Sequence, residues 1–422
     1  KGTFMLEKFN LKLEGYQDNL PLLQVTGMSQ GLFRYNTQAK KVYNPFMQVA
    51  SPEDLEQKIT SLTNKKPRQL KAVDYFESKK KKTLQTANVV AASISSISPI
   101  TIVAGNKSVL TIDGSGFGST MGKVHFPNAD TAGQTTISAL NTQIVSWTDS
   151  QIRVEVPFKA GTGTVKVETA ANVIAQRSGL TVSHAYIGKS VSDFFANGNK
   201  TTEYRNHHVG SDHNPTSTES NFDANGAYVF KFHTDIDNNA AAKAAFKSAF
   251  DLLVCNSGIN LKLSSATTTA KNVDDNINSI HFGKTTNNIG AYVNIRLQYE
   301  YVITNGIIDG LYYYIYEMDY IFDETLSWSY DSSSTSTTAY DFNAIVRHET
   351  AHAAGLGHVI DTQKIMHYKV STGPNDHIPS NSTFKPIIDK ITYDKTITPK
   401  GGVSKTDFSD CYKQSLGIDA IE

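Results

Sequence analysis

One stretch of eighteen residues restricts this chain more than any other. From Asp341 to His358 it reads Asp-Phe-Asn-Ala-Ile-Val-Arg-His-Glu-Thr-Ala-His-Ala-Ala-Gly-Leu-Gly-His. Asp341 suits a helix N-cap, and the residues after it are good helix formers with no internal Pro. On a helix, residues four apart share one face about 6 Å apart along the axis. His348 and His352 therefore present both imidazoles to one point, at a reach suited to a Zn–N bond of about 2 Å. Glu349 lies about 100° around the helix from His348, where it flanks a metal and suits a base acting on water. A third ligand must come from another direction, so the helix has to stop. Gly355 can take the left-handed conformation that ends a helix without steric cost, and His358 can then swing back. Three protein ligands leave a fourth position open, which distinguishes a catalytic zinc site from a closed structural one. A chance His-Glu-x-x-His is on the order of one in a hundred for such a chain, and Gly355 and His358 at fixed offsets lower that by roughly several hundred-fold.

The rest of the chain must be divided around this helix. At about 150 residues per domain, 422 residues suggest two or three domains. Hydrophobic residues at 39% and aromatics at 10% suffice for packed cores. Forty basic against 40 acidic residues give a net charge of +0, which argues against a dedicated nucleic-acid binder or a polybasic membrane-surface protein. No apolar run approaches the ~20 residues needed to span a bilayer. The chain opens at Lys1 with no initiator Met and no signal-peptide pattern. This reads as a processed product of a secreted or cell-surface protein.

Residues 1–90 mix short strand-like pieces with one helix start, Ser51-Pro52-Glu53-Asp54-Leu55-Glu56. Lys79 to Lys82 then form a basic run, read as a solvated linker, with a cleavage site behind a removable pro-segment as the functional alternative. From 94 to 184 short alternating runs such as Ser108–Ile112, Gln151–Val156 and Gly163–Val167 predict an all-β sandwich. From 186 to 422 strand-like pieces (Gly226–Phe232, Leu261–Leu263, Ser279–Phe282, Leu311–Tyr316 and Asp319–Phe322) interleave with an Ala-rich helix from Asn239 to Val254. This predicts a twisted mixed sheet backed by helices.

Two resemblances sharpen that division. Ile97-Ser98-Pro99, Gly114-Ser115-Gly116-Phe117-Gly118, Trp147-Thr148-Asp149-Ser150-Gln151-Ile152 and Val156-Pro157 resemble the IPT/TIG immunoglobulin-like family. That resemblance implies an interaction or spacer module contacting another protein or a surface glycan. Eight positions past His358 stands Met366, in Lys364-Ile365-Met366-His367-Tyr368. The zinc motif followed by such a Met resembles the metzincin metallopeptidases, whose Met lies as a hydrophobic floor beneath the ligands; Met366 takes that role by resemblance. Glu317-Met318-Asp319-Tyr320-Ile321-Phe322-Asp323, Leu326-Ser327-Trp328 and the short His358-to-Met366 interval are matrixin-like. Val359 departs from the Ser that matrixins usually carry after the third His. Met366-His367-Tyr368 is instead similar to the Met-turn of astacins and serralysins, whose Tyr can ligate zinc; Tyr368 is either such a ligand and oxyanion donor or a packed aromatic. The implied fold is multidomain: an N-terminal segment, an immunoglobulin-like sandwich and an α+β metzincin catalytic domain.

The implied activity is a zinc-dependent endopeptidase with Glu349 as base and one Zn²⁺ held by His348, His352 and His358. Protein or peptide substrates would lie extended along an edge strand, with residues 369–384 walling the specificity pocket. The sequence leaves a further structural cation such as Ca²⁺ undetermined. The alternative function is a surface adhesion protein whose peptidase domain is vestigial, although an intact Glu349 argues against decay. Cys255 and Cys411 are the two cysteines, and they form either one bridge or two buried thiols. No Cys precedes Cys255, so a pro-segment cysteine cannot cap the zinc. His207, His208 and His213 with Asp212 lack regular spacing and read as surface.

Overall fold

The computed structural model describes residues 91–191, 200–205, 221–286 apart from 224, 289–304, 307–331, 336–373 and 381–396, positions 404, 405, 408 and 411, and three short strands near the N-terminus. The chain forms two compact units, Lys1–Asn88 and Val89–Glu422. In the first, Gln24–Thr26, Gly31–Arg34 and Met47–Val49 make a three-stranded antiparallel sheet. The expected helix start at Ser51, the lysine run at 79–82, and the cluster of His207, His208, Asp212 and His213 lie outside the described residues.

The second unit begins with a β-sandwich. One sheet orders β1 (Ser93–Ser98), β3 (Val109–Ser115), β7 (Gln151–Glu155) and β6 (Ile144–Trp147). The facing sheet contains β2 (Thr101–Ala104), β4 (Lys123–Pro127), β5 (Thr136–Ser138), β8 (Gly163–Glu168) and the long β9 (Ile174–Tyr186). Alternation drives this packing: Leu110 and Ile112, Ile152 and Val154, and Val165 and Val167 point inward and are almost fully buried. Successive strand side chains face opposite ways, so one apolar face per strand suffices. The Gly-rich piece at 114–118 ends β3 and leads into β4, with Gly116 and Gly118 at positive φ.

A larger sheet follows, ordered β10 (Gly188–Val191), β11 (Lys200–Arg205), β16 (Ile307–Asp323), β14 (Asn278–Gly283), β12 (Tyr228–His233) and β13 (Leu261–Thr268), with β15 (Ala291–Thr304) along β16. The pairs β12–β13, β12–β14 and β14–β16 are parallel, whereas β15 runs antiparallel to β16. The two aromatic runs expected as separate pieces are thus one strand of 17 residues, because β15 pairs along it from Ala291–Phe322 to Thr304–Ile307, with two register shifts.

Helix α1 (Ala240–Ser257) covers one face of this sheet. Asn239 caps its start by accepting from the Ala242 N–H at 3.1 Å, and Gly258 at φ +70° ends it. Phe246, Phe250, Leu253 and Val254 recur at helical spacing and are buried among Phe230, Tyr320 and Phe322. Helices α2 (Phe342–Ala353) and α3 (Asn381–Thr396) complete this layer. Cys255 near the end of α1 is bonded to Cys411. Beside this bridge the Lys405 N–H donates to Gly258 at 2.8 Å, tying the C-terminal segment down.

Between α2 and His358 lies a two-residue strand, β17 (Leu356–Gly357). It does not join the large sheet. It pairs antiparallel with the end of β9, Tyr186 opposite Leu356 and Ala185 opposite Gly357, and so becomes an edge of the sandwich. The segment that follows α2 is therefore hydrogen-bonded to the sandwich within one compact unit.

Candidate metal centre

Helix α2 starts where its sequence says it should: Asp341 accepts from the Ala344 N–H at 3.1 Å. His348 and His352 project from one face, ring centroids 4.7 Å apart. After Ala353 the chain leaves the helix, with Gly355 at φ +90°. A Cβ at Gly355 would stand 3.0 Å from Lys390 Cε of α3, so conformation and space both call for glycine. The reversal returns His358 to ring-centroid distances of 5.3 Å from His348 and 4.8 Å from His352. One ring nitrogen of each of the three lies within 4.8 Å of the other two.

Each ring is oriented from behind. His348 Nδ1 donates to the Ile365 carbonyl at 2.6 Å, and His352 Nδ1 to the Leu356 carbonyl at 2.8 Å. His358 Nδ1 donates to Asp130 Oδ1 at 2.8 Å, a carboxylate of the sandwich 228 residues upstream. Carbonyls and ionised carboxylates only accept, so all three protons sit on Nδ1 and the Nε2 atoms carry lone pairs. Burial first, then the charges of His358 and His367, pulls the His348 pKa down to about 3; burial holds His352 well below its ordinary value too. Neutral imidazole is the ligand form.

The test of fit is His352 Nε2 facing His358 Nε2 at 3.2 Å. Two lone pairs this close repel unless a metal cation or a shared proton lies between them. Ligands about 2.0–2.1 Å from a tetrahedral zinc stand about 3.3–3.4 Å apart, so the spacing fits that ion. Three nitrogen donors with no thiolate suit zinc in a catalytic, not a structural, set.

Glu349, next to His348 on α2, meets β15. The Val293 N–H donates to its carboxylate, yet burial outweighs that bond and pushes its pKa up to about 8. Its Oε2 is buried with no hydrogen-bond partner among the described residues. Strand β15 is bound to β16 on one side, and among the described strands its other edge is unpaired. Met366 is 4% exposed in the core, and its carbonyl accepts from the Val359 N–H at 2.8 Å. That bond ties the residue after the third histidine to the turn behind the first. Tyr368 is half-buried with its ring 5.0 Å from His367. Part of the expected pocket wall, residues 374–380, lies outside the described residues.

The structure thus brings the ring nitrogens of His348, His352 and His358 together, with Glu349 on the same helix held by Val293 of β15. The residues missed by sequence reasoning are Asp130 and Val293. Neither belongs to a motif, and Asp130 stands in the module read as a spacer. Its carboxyl is held below its ordinary value by the His358 contact, helped by Lys159 Nζ at 2.8 Å and opposed by partial burial.

The Matrixin family model matches residues 219–383, and the IPT/TIG domain model matches residues 92–184. The chain therefore carries a β-rich IPT/TIG domain followed by a matrixin domain with mixed sheet and helices. Two cyclomaltodextrin glucanotransferases, from Bacillus licheniformis and Bacillus sp. (strain 6.6.3), are 39% and 40% identical to it over 87 residues. The match covers 21% of this chain and spans only 11% of those proteins. Similar solved structures include an auxiliary nutrient binding protein from Bacteroides thetaiotaomicron (16% identity, TM-score 0.17, 25% of this chain and 24% of that one). Another is SGBP-B from a xyloglucan utilization locus in Bacteroides uniformis (18% identity, TM-score 0.17, 26% of this chain and 34% of that one). The matrixin match supports a zinc metallopeptidase.

Proposed function

We propose that this chain is a secreted or cell-surface zinc endopeptidase in which His348, His352 and His358 hold one Zn²⁺ and Glu349 is the general base. The observation that carries the reading is the convergence of three lone-pair nitrogens, each with its opposite nitrogen engaged. Bound there, zinc supplies a Lewis acid that polarises a peptide carbonyl and makes water acidic near neutral pH. The chain's own groups do the rest. Glu349 is held by the Val293 N–H, and its Oε2 has no hydrogen-bond partner among the described residues. Close to a dication its carboxyl is drawn back from the raised value of the metal-free site. As carboxylate it takes a proton from the attacking water and then delivers that proton to the leaving amine. A substrate lying antiparallel along the open edge of β15 would pass directly by this carboxylate. Tyr368, two residues after Met366, is the candidate donor to the developing oxyanion, the alternative being a packed aromatic. The paired cysteines agree with an oxidising compartment.

The test combines metal content with turnover. The full chain should bind zinc one to one and cleave casein in a chelator-sensitive way. Glu349→Ala should keep the zinc and lose hydrolysis by at least about 10²–10⁴-fold. Undiminished cleavage by that variant, or a wild-type chain that takes up no zinc, sinks the proposal.

A further inference from the structure

His358 differs from the other two histidines in how it is held. His348 and His352 sit on a helix and lean on backbone carbonyls of their own domain. His358 lies beyond the helix, and its backbone is set by two neighbours: β17 is bonded to β9 of the sandwich, and Val359 to Met366. Its ring is set by a carboxylate of the sandwich, Asp130.

Asp130 is itself prepared for this contact. It lies in a short 3₁₀ turn, Ala129–Thr131, where Asn128 Oδ1 accepts from the Asp130 N–H at 3.0 Å. Its Oδ2 meets Lys159 Nζ at 2.8 Å, which leaves Oδ1 for His358. The surfaces around the pair are closely fitted. A Cβ at Gly161 would stand 2.5 Å from Ile360 Cδ1, and one at Gly133 would stand 3.3 Å from the same methyl. Ile360 follows His358 by two residues, so sandwich loops grip the third-ligand segment just after its strand pairing.

A carboxylate behind a ligating histidine fixes tautomer and ring direction and raises the basicity of the donor nitrogen more than a carbonyl does. We infer that the IPT/TIG domain is a working part of the metal site, with Asp130 as the positioning residue that holds His358 Nε2 toward the other two ligands. The inference rests on the zinc reading above. It gives this domain a role besides any surface it binds: zinc affinity depends on its docking against the peptidase.

The experiment uses the full chain with Zn²⁺ and Co²⁺ as probes. Zinc affinity is measured by competition with a chromophoric chelator for wild type, Asp130→Asn, Asp130→Ala and His358→Ala. The visible ligand-field spectrum of each cobalt form reports ligand geometry, which a contact that merely joins two domains would not move. Asp130→Asn nearly preserves shape, and circular dichroism of the metal-free variants verifies the fold. Both Asp130 variants should weaken zinc about 10–100-fold and shift the cobalt bands. Unchanged affinity and unchanged bands in a folded Asp130→Asn overturn the inference. If His358→Ala still loses zinc in that case, the metal site stands and only the role of Asp130 falls. A wild-type chain that binds no zinc overturns both.

Discussion

Glu349 shows how much a single residue's surroundings decide. Burial drives its carboxyl up to about 8 although one N–H donates to it, so in the metal-free chain the neutral acid predominates at pH 7. The same residue becomes a base only beside a positive charge, which makes its acidity a reporter of metal occupancy. Gly355 is the second residue on which the site turns. It has φ +90° and lies tight against Lys390, whose ammonium is fully buried with Asp394 of the same helix. Gly355→Ala should destabilise the chain by about 1–3 kcal/mol, since alanine must adopt a left-handed conformation and displace Lys390. It should also weaken zinc binding, because this turn aims His358. A denaturation midpoint and a zinc titration equal to wild type would refute both statements.

Among the elements, β14 carries a titration that bears on stability. His281 on that strand is 2% exposed, its Nδ1 is paired with Ser279 Oγ at 3.1 Å, and burial pulls its pKa down to about 4. His184 on β9 is similarly buried and drawn down to about 4. In the unfolded chain both titrate near 6.5, so between roughly pH 6.5 and 4 the unfolded state holds protons that the folded state refuses. Stability is therefore full above about pH 6.5 and falls on acidification, by up to about 1.4 kcal/mol per pH unit for each histidine. Urea midpoints of the metal-free chain at pH 7 and pH 5 should differ accordingly, and His281→Gln should reduce the difference. Equal midpoints would show that these rings accept protons in the folded state. Element boundaries were largely legible from pattern: the Ala-rich helix and the zinc helix with its Asp341 cap follow from local residue chemistry. The long hairpin β15–β16 was not. Its two strands stabilise each other through pairing that neither reveals alone.

Across the whole molecule, one covalent bond closes 156 residues of chain between α1 and the C-terminal segment. Cross-linking so long a loop restricts the unfolded ensemble, and Cys255→Ser with Cys411→Ser should lower stability by about 2–5 kcal/mol. Reduced and oxidised wild type with matching denaturation midpoints would contradict that expectation. The bond leaves the metal triad untouched, so zinc stoichiometry under native conditions should survive its loss. The second large-scale feature is the docking of sandwich and peptidase through β9 and β17, which places part of the third ligand's support in a different domain from the ligand.

The parts of the site that depend on neighbours along the chain can be read from residue order. Two histidines four apart on a capped helix, a glutamate between them and a glycine that ends the helix are local geometry, readable from residue order. So was the sandwich, whose alternation is a property of each strand. Only the tertiary structure decided that β17 joins the sandwich sheet, that Val293 holds Glu349, and that Asp130 reaches His358 across 228 positions. No periodicity encodes such contacts. They arise when separately formed surfaces are packed together, and there the identity of one carboxylate matters through where it ends up in space.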